Sequence, residues 1–153
     1  MSNCSGRRLG GFARTAAEMR TNFIAPASLL AELANRFAAR GSGTLVGISS
    51  VAGDRARRGN YVYGTAKGAL SLFLAGLRAR LREKGVRVVT VKPGFVDTPM
   101  AEWTGLSSDQ MIQPEDCAAV VRMVINLSPG ARIPQIVIER TGALDGDRAL
   151  LGA

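Results

Sequence analysis

Between Thr15 and Phe37 the apolar residues Ala16, Met19, Phe23, Ile24, Ala27, Leu30, Leu33, Ala34 and Phe37 recur mostly at steps of three and four. That period predicts an amphipathic helix closing at Arg40-Gly41, with Pro26 expected to kink it. Thr44 to Ile48 is a short apolar run between glycines, the pattern of a strand covered on both faces and hence of a parallel sheet. A second long helix is predicted from Tyr63 to Lys84, with Ala66, Leu70, Phe73, Leu74, Leu77 and Leu81 inward and Arg78, Arg80, Arg82 and Lys84 on a solvated face. Gly85 ends it, and Val86 to Val91 reads as the next strand, so strand, helix and strand form one crossover unit. Residues 95–113 have the composition of a mobile loop, Pro114-Glu115-Asp116 opens a further helix, and Ile136 to Ile138 is a last short strand. Residues 1–14 are expected as a loose leader, 15–141 as one domain and 142–153 as a tail.

Composition narrows the chemistry more than it narrows the fold. The 153 residues are 46% hydrophobic, enough for one packed domain. There is no histidine, so histidine-dependent nucleophile systems and histidine metal sites are excluded. Cys4 and Cys117 lack metal-ligand spacing, and no metal site is expected. Residues 1–20 have no signal-peptide core and no run is long enough to span a membrane, so a cytoplasmic protein is expected. The net charge of +8 favours anionic partners, but no nucleic-acid module or interleaved aromatics accompany it, and no nucleic-acid partner is expected.

Tyr63 and Lys67 are four residues apart on the second helix, so their side chains share a face and the ammonium can favour the phenolate. Ser50 follows the first strand, at the carboxyl end where open α/β sheets place ligands. Tyr-x-x-x-Lys alone also describes a surface pair on any helix. Asn22, at the border of an apolar face, is a candidate for inward function or a backbone-bonded amide.

Three stretches in order, ISSVAG at 48–53, YVYGTAKGAL at 61–70 and VKPGFVDTPM at 91–100, together resemble the classical short-chain dehydrogenase/reductase family. The resemblance covers Thr15 to the end and implies a Rossmann-type, doubly wound α/β sheet and an oxidoreductase using NAD(H) or NADP(H). It makes Tyr63 the acid or base at the substrate oxygen, and Lys67 the group that tunes the phenol and holds the nicotinamide ribose. Ser50 becomes the hydroxyl that polarises the substrate carbonyl, with Ser49 structural, and Asn22 part of a water relay to the lysine. Pro93, Gly94, Val96 and Thr98 match the family's segment around the nicotinamide amide. The loop at 49–64 looks closest to decaprenylphosphoryl 2-ketopentose reductases, which places Arg55, Arg57 and Arg58 at the mouth for a lipid-linked sugar ketone or alcohol, if they are not simply solvated. Met100 and Trp103 are substrate-loop candidates.

The family's Thr-Gly-x-x-x-Gly-x-Gly turn, which opens its cofactor site, has no counterpart in the chain. The expectation is therefore a truncated domain of about three parallel strands and long helices, lacking the N-terminal βαβ units. Such a chain would expose an apolar strand edge and hold the cofactor incompletely by itself. A second reading from another class is a non-catalytic oligomerisation or binding module, since in this family the helices containing Asn22 and Tyr63 commonly pair copies.

Overall fold

The computed structural model describes residues 11–55 and 59–141. The N-terminal helical run is α1, Phe12–Met19, a π turn at Arg20–Ile24, and α2, Ala25–Arg40. It starts three residues earlier than the apolar period suggested, because the amides of Arg14 and Thr15 already donate to the Gly11 carbonyl. Residues 12–14 thus belong to the helix, while residues 1–10 lie outside the described ones.

Pro26 acts on the turn before it rather than as a simple kink. Lacking an N–H, it cannot complete the bond to the carbonyl four residues back, and the chain takes five-residue spacing there, with the Ala25 amide donating to Arg20. The extra residue shifts the phase of the helical face. Ile24, expected inward, is 52% exposed.

Strand β1, Gly43–Ile48, pairs in parallel with β2, Val86–Pro93, from Gly43 opposite Val86 to Ile48 opposite Val91. Strand β3, Gln135–Ile138, lies parallel on the other side of β2, from Thr90 opposite Gln135 to Pro93 opposite Ile138. The sheet order is β1-β2-β3, and all of β2 except Arg87 is buried, as its position between two strands requires.

The crossover from β1 to β2 is α3, Tyr61–Leu81, and that from β2 to β3 includes α4, Pro114–Ile125. Val86 and Val88 pack with Leu45 against Ala34 of α2 and Leu70, Leu74, Leu77 and Leu81 of α3. Val89 and Val91 point the other way, with Val46, toward Val120 and Val124 of α4. This alternation is the two-faced burial of a doubly wound sheet. The outer side of β1 has no strand beside it among the described residues, and Ile48 is 44% exposed.

One expectation for α3 is corrected. Arg78 is not part of a solvated face: its guanidinium donates to the Val88 carbonyl at 2.8 Å, the Thr90 hydroxyl at 2.9 Å and the Pro134 carbonyl at 2.6 Å, tying α3 to the sheet. Burial holds its pKa below the ordinary arginine value. Among the described residues no helix is long and apolar enough to cross a membrane.

Candidate active site

The chain leaves β1 through Ser49 and Ser50, both buried, and their side chains take different partners. Ser49 Oγ donates to the Lys67 carbonyl at 2.8 Å and lies 2.7 Å from Ser71 Oγ, so its hydroxyl is engaged with α3. Ser50 opens a single 3₁₀ turn, Val51–Gly53, where its Oγ accepts from the Ala52 amide at 3.1 Å. The same hydroxyl reaches the Pro93 carbonyl only at 3.4 Å, a long bond that a better acceptor would displace.

That turn sits on the backbone of α3 at two glycines. A Cβ on Gly64 would come within 2.7 Å of the Ala52 carbonyl oxygen, and one on Gly68 within 2.9 Å of the Gly53 oxygen. Each glycine directly follows a candidate residue, Tyr63 or Lys67, so the absence of side chains at 64 and 68 sets how close the Ser50 turn lies to that pair.

Lys67 Nζ donates to the Ile48 carbonyl at 3.2 Å and stands 5.7 Å from the centroid of the Tyr63 ring. The lysine is half-buried, and loss of water lowers its pKa from the usual 10.5. Tyr63 is also half-buried. Helix spacing, the bond back to β1 and the glycine seat therefore bring Ser50, Tyr63 and Lys67 to one place, the carboxyl end of β1.

Asn22 lies in the π turn, which packs on α3 through an edge-to-face contact of Phe23 and Phe73, 6.4 Å between centroids. Its side-chain amide is not aimed at the lysine: Nδ2 donates to the Glu18 carbonyl and to Glu18 Oε1, each at 3.2 Å. Its backbone differs, since Pro26, four residues on, has no N–H to offer the Asn22 carbonyl.

Beyond β2, the Gly94 amide donates to the Ile138 carbonyl at 2.8 Å. Val96 then forms a parallel bridge with Ile112, and the Thr98 hydroxyl turns back on the Val96 carbonyl at 3.3 Å. Residues 95–113 are consequently more ordered than a simple loop, with 3₁₀ turns at Pro99–Thr104 and Ser108–Gln110. Met100 is 68% and Trp103 45% exposed, the latter edge-on to Phe95 at 6.0 Å. Arg55 is exposed, and Arg57 and Arg58 lie outside the described residues.

A feature not singled out in the sequence is Lys92, buried in β2 and paired through Nζ with Asp54 Oδ1 at 2.5 Å. Its signal was available: a lysine inside a run that reads as a fully covered strand must have a partner.

The short chain dehydrogenase family matches residues 12–107, more than half of the chain. Over 114 residues the chain is 40% identical to Rv2073c, an uncharacterized oxidoreductase of Mycobacterium tuberculosis strain H37Rv, covering 74% of this chain and 46% of that protein. The fold is similar to that of a β-ketoacyl-[ACP] reductase from Bacteroides thetaiotaomicron, with a TM-score of 0.72 and 28% identity over 90% of this chain and 58% of the other. It is also similar to a metagenomic short-chain oxidoreductase in complex with NADP, with a TM-score of 0.71 and 25% identity over 86% of this chain and 53% of the other. The chain thus spans about half the length of these proteins. With its parallel three-stranded sheet, its two-sided helix packing and this match, the chain belongs to the short chain dehydrogenase family.

Proposed function

We propose that the chain supplies the acid–base part of an NAD(P)-dependent oxidoreductase that interconverts a ketone and a secondary alcohol. The observation that supports this most is Lys67, half-buried and held at the end of β1 through Ile48, with its ammonium beside the ring of Tyr63. In reduction the Tyr63 hydroxyl gives its proton to the substrate oxygen, and in oxidation it takes one, while the neighbouring cation stabilises charge on the phenolate. Ser50 gives up its long bond to Pro93 and donates to the same substrate oxygen. The Asn22 carbonyl, to which Pro26 offers no N–H, holds a water that returns protons toward Lys67.

NAD(H) or NADP(H), when bound, supplies or accepts the hydride. The residues present fit such a group in part: one N–H of Lys67 is on Ile48, which leaves the others for a vicinal diol such as the nicotinamide ribose. Pro93, Gly94, the Val96 backbone and Thr98 would border the nicotinamide amide. Arg55, Met100 and Trp103 would form the rim of the substrate mouth, a setting suited to a small or a lipid-linked ketone.

Titration of the chain with NADH and NADPH tests this reading. Binding that Lys67→Met weakens about tenfold or more and that Tyr63→Phe leaves unchanged is the expected result. No binding to the wild-type chain at millimolar cofactor overturns a cofactor-dependent function for this chain by itself.

A second reading, an oligomerisation module, is favoured by Leu72 on α3 and Leu29 on α2, 76% and 62% exposed. Light scattering decides it, because a stable monomer at high concentration sinks the idea.

A further inference from the structure

Lys92 lies one residue before Pro93 in the central strand and is 5% exposed. It pairs with one carboxylate, that of Asp54, whose side chain is 43% exposed at the end of the turn that Ser50 opens. An ammonium inside a sheet is costly, and a well-packed apolar residue in its place is often neutral or stabilising. Fold stability is therefore a weak reason for a lysine here, and geometry is the stronger one.

The turn from Ser50 to Asp54 is internally tied. The Gly53 amide donates to the Ser50 carbonyl and the Asp54 amide to that of Val51, both at 3.1 Å. Holding Asp54 therefore holds Ser50. The two ends of the turn meet the same dipeptide of β2, Asp54 on Lys92 and Ser50 on Pro93. Of these two attachments the hydroxyl bond is long and the ion pair short, so the ion pair dominates.

We propose that Lys92 and Asp54 form a latch that fixes the Ser50 turn against the end of β2 and so sets the direction in which the Ser50 hydroxyl donates. Lys92 is a positioning residue: it acts through Asp54 and the turn, without touching the reacting atoms. The inference rests on the role proposed for Ser50.

Amide hydrogen exchange measured by NMR on the full chain tests it without cofactor or turnover. In Lys92→Met the amides of Ala52, Gly53 and Asp54 are expected to exchange about tenfold faster, while those of Val88 and Val89 in β2 keep their wild-type rates. Lys92→Arg, which keeps the charge, is expected to restore most of the protection. If Lys92→Met does not fold, Lys92→Leu makes the same comparison without leaving a buried ammonium unpaired. Unchanged exchange in the turn overturns the latch, and so does equal acceleration through β1, β2 and α3, which marks a residue that merely supports the fold. A failed cofactor titration would leave the exchange result standing and reject only the proposed function.

Discussion

The ammonium of Lys67 donates to the carbonyl oxygen of Ile48 across 3.2 Å, joining the N-terminal half of α3 to the last residue of β1. The bond crosses the open end of the sheet and holds the lysine where water is partly excluded, which is why its pKa falls.

A pH dependence follows from that shift. Between the lowered folded value and the ordinary 10.5, the unfolded chain binds the proton that the folded chain has lost, so stability rises with pH through this window. Urea midpoints taken from neutral pH upward should therefore rise more steeply for the wild type than for Lys67→Met. Parallel slopes would show that the lysine is not desolvated.

Two glycines of α3 should respond in opposite ways to alanine. Gly68→Ala brings a Cβ against the Gly53 backbone, and overpacking of about 1–3 kcal/mol should outweigh the gain in helix propensity. Gly76 has open space at the Cβ position, so Gly76→Ala should stabilise by up to about 1 kcal/mol. Denaturant unfolding of both variants checks the pair, and a stabilising Gly68→Ala would contradict the close seat of the Ser50 turn.

Arg87 joins three elements through one guanidinium. It donates to Thr44 Oγ1 at 3.0 Å in β1, to the Ile125 carbonyl at 3.2 Å at the end of α4, and to the Leu127 carbonyl at 2.9 Å just beyond. Charge-assisted bonds to helix-end carbonyls suggest a loss of about 1.5–3 kcal/mol in Arg87→Met. Arg87→Lys should recover less than half, because a single ammonium cannot span the fork, and thermal or urea unfolding reads both.

Cys117, in the first turn of α4, has its thiol pKa pushed up by burial and by the adjacent Asp116 carboxylate. In a Cys4→Ser chain, alkylation of Cys117 near neutral pH should be slower than that of a free thiol, and Asp116→Asn should speed it. Asp116 also accepts from the Gln113 amide at 2.9 Å, so the same variant should lose up to about 1 kcal/mol of stability. An unchanged alkylation rate would remove the electrostatic contribution.

Much of this architecture was readable because it is local. The buried stripe of α3 at Ala66, Leu70, Leu74, Leu77 and Leu81 follows from helical spacing, and the run from Val86 to Val91 from a strand covered on both sides. The effect of Pro26 was visible as an interruption, but its form was not, since a kink and a π turn answer the same missing N–H. Helical period alone places Arg78 on a solvated face, because its acceptors at Val88, Thr90 and Pro134 come from chain 10 to 56 residues away. That Lys92 needs a partner is legible in the strand pattern, but which residue serves is not, since Asp54 is 38 residues distant.

By itself the sequence determined the helices, the strands, their parallel order and the pairing of Tyr63 with Lys67, because side-chain period, glycine and proline act within a few residues. The family resemblance already sets Ser50 apart from Ser49, but only the tertiary structure decided their partners, Lys67 and Ser71 of α3 for Ser49 and the end of β2 for Ser50. It also decided that Asn22 turns its side chain back on Glu18 and that Asp54 meets Lys92. The reason is that such partners come from different elements, and their meeting depends on how closely helix and sheet can approach. Here that approach is set where Gly53 lies on Gly68.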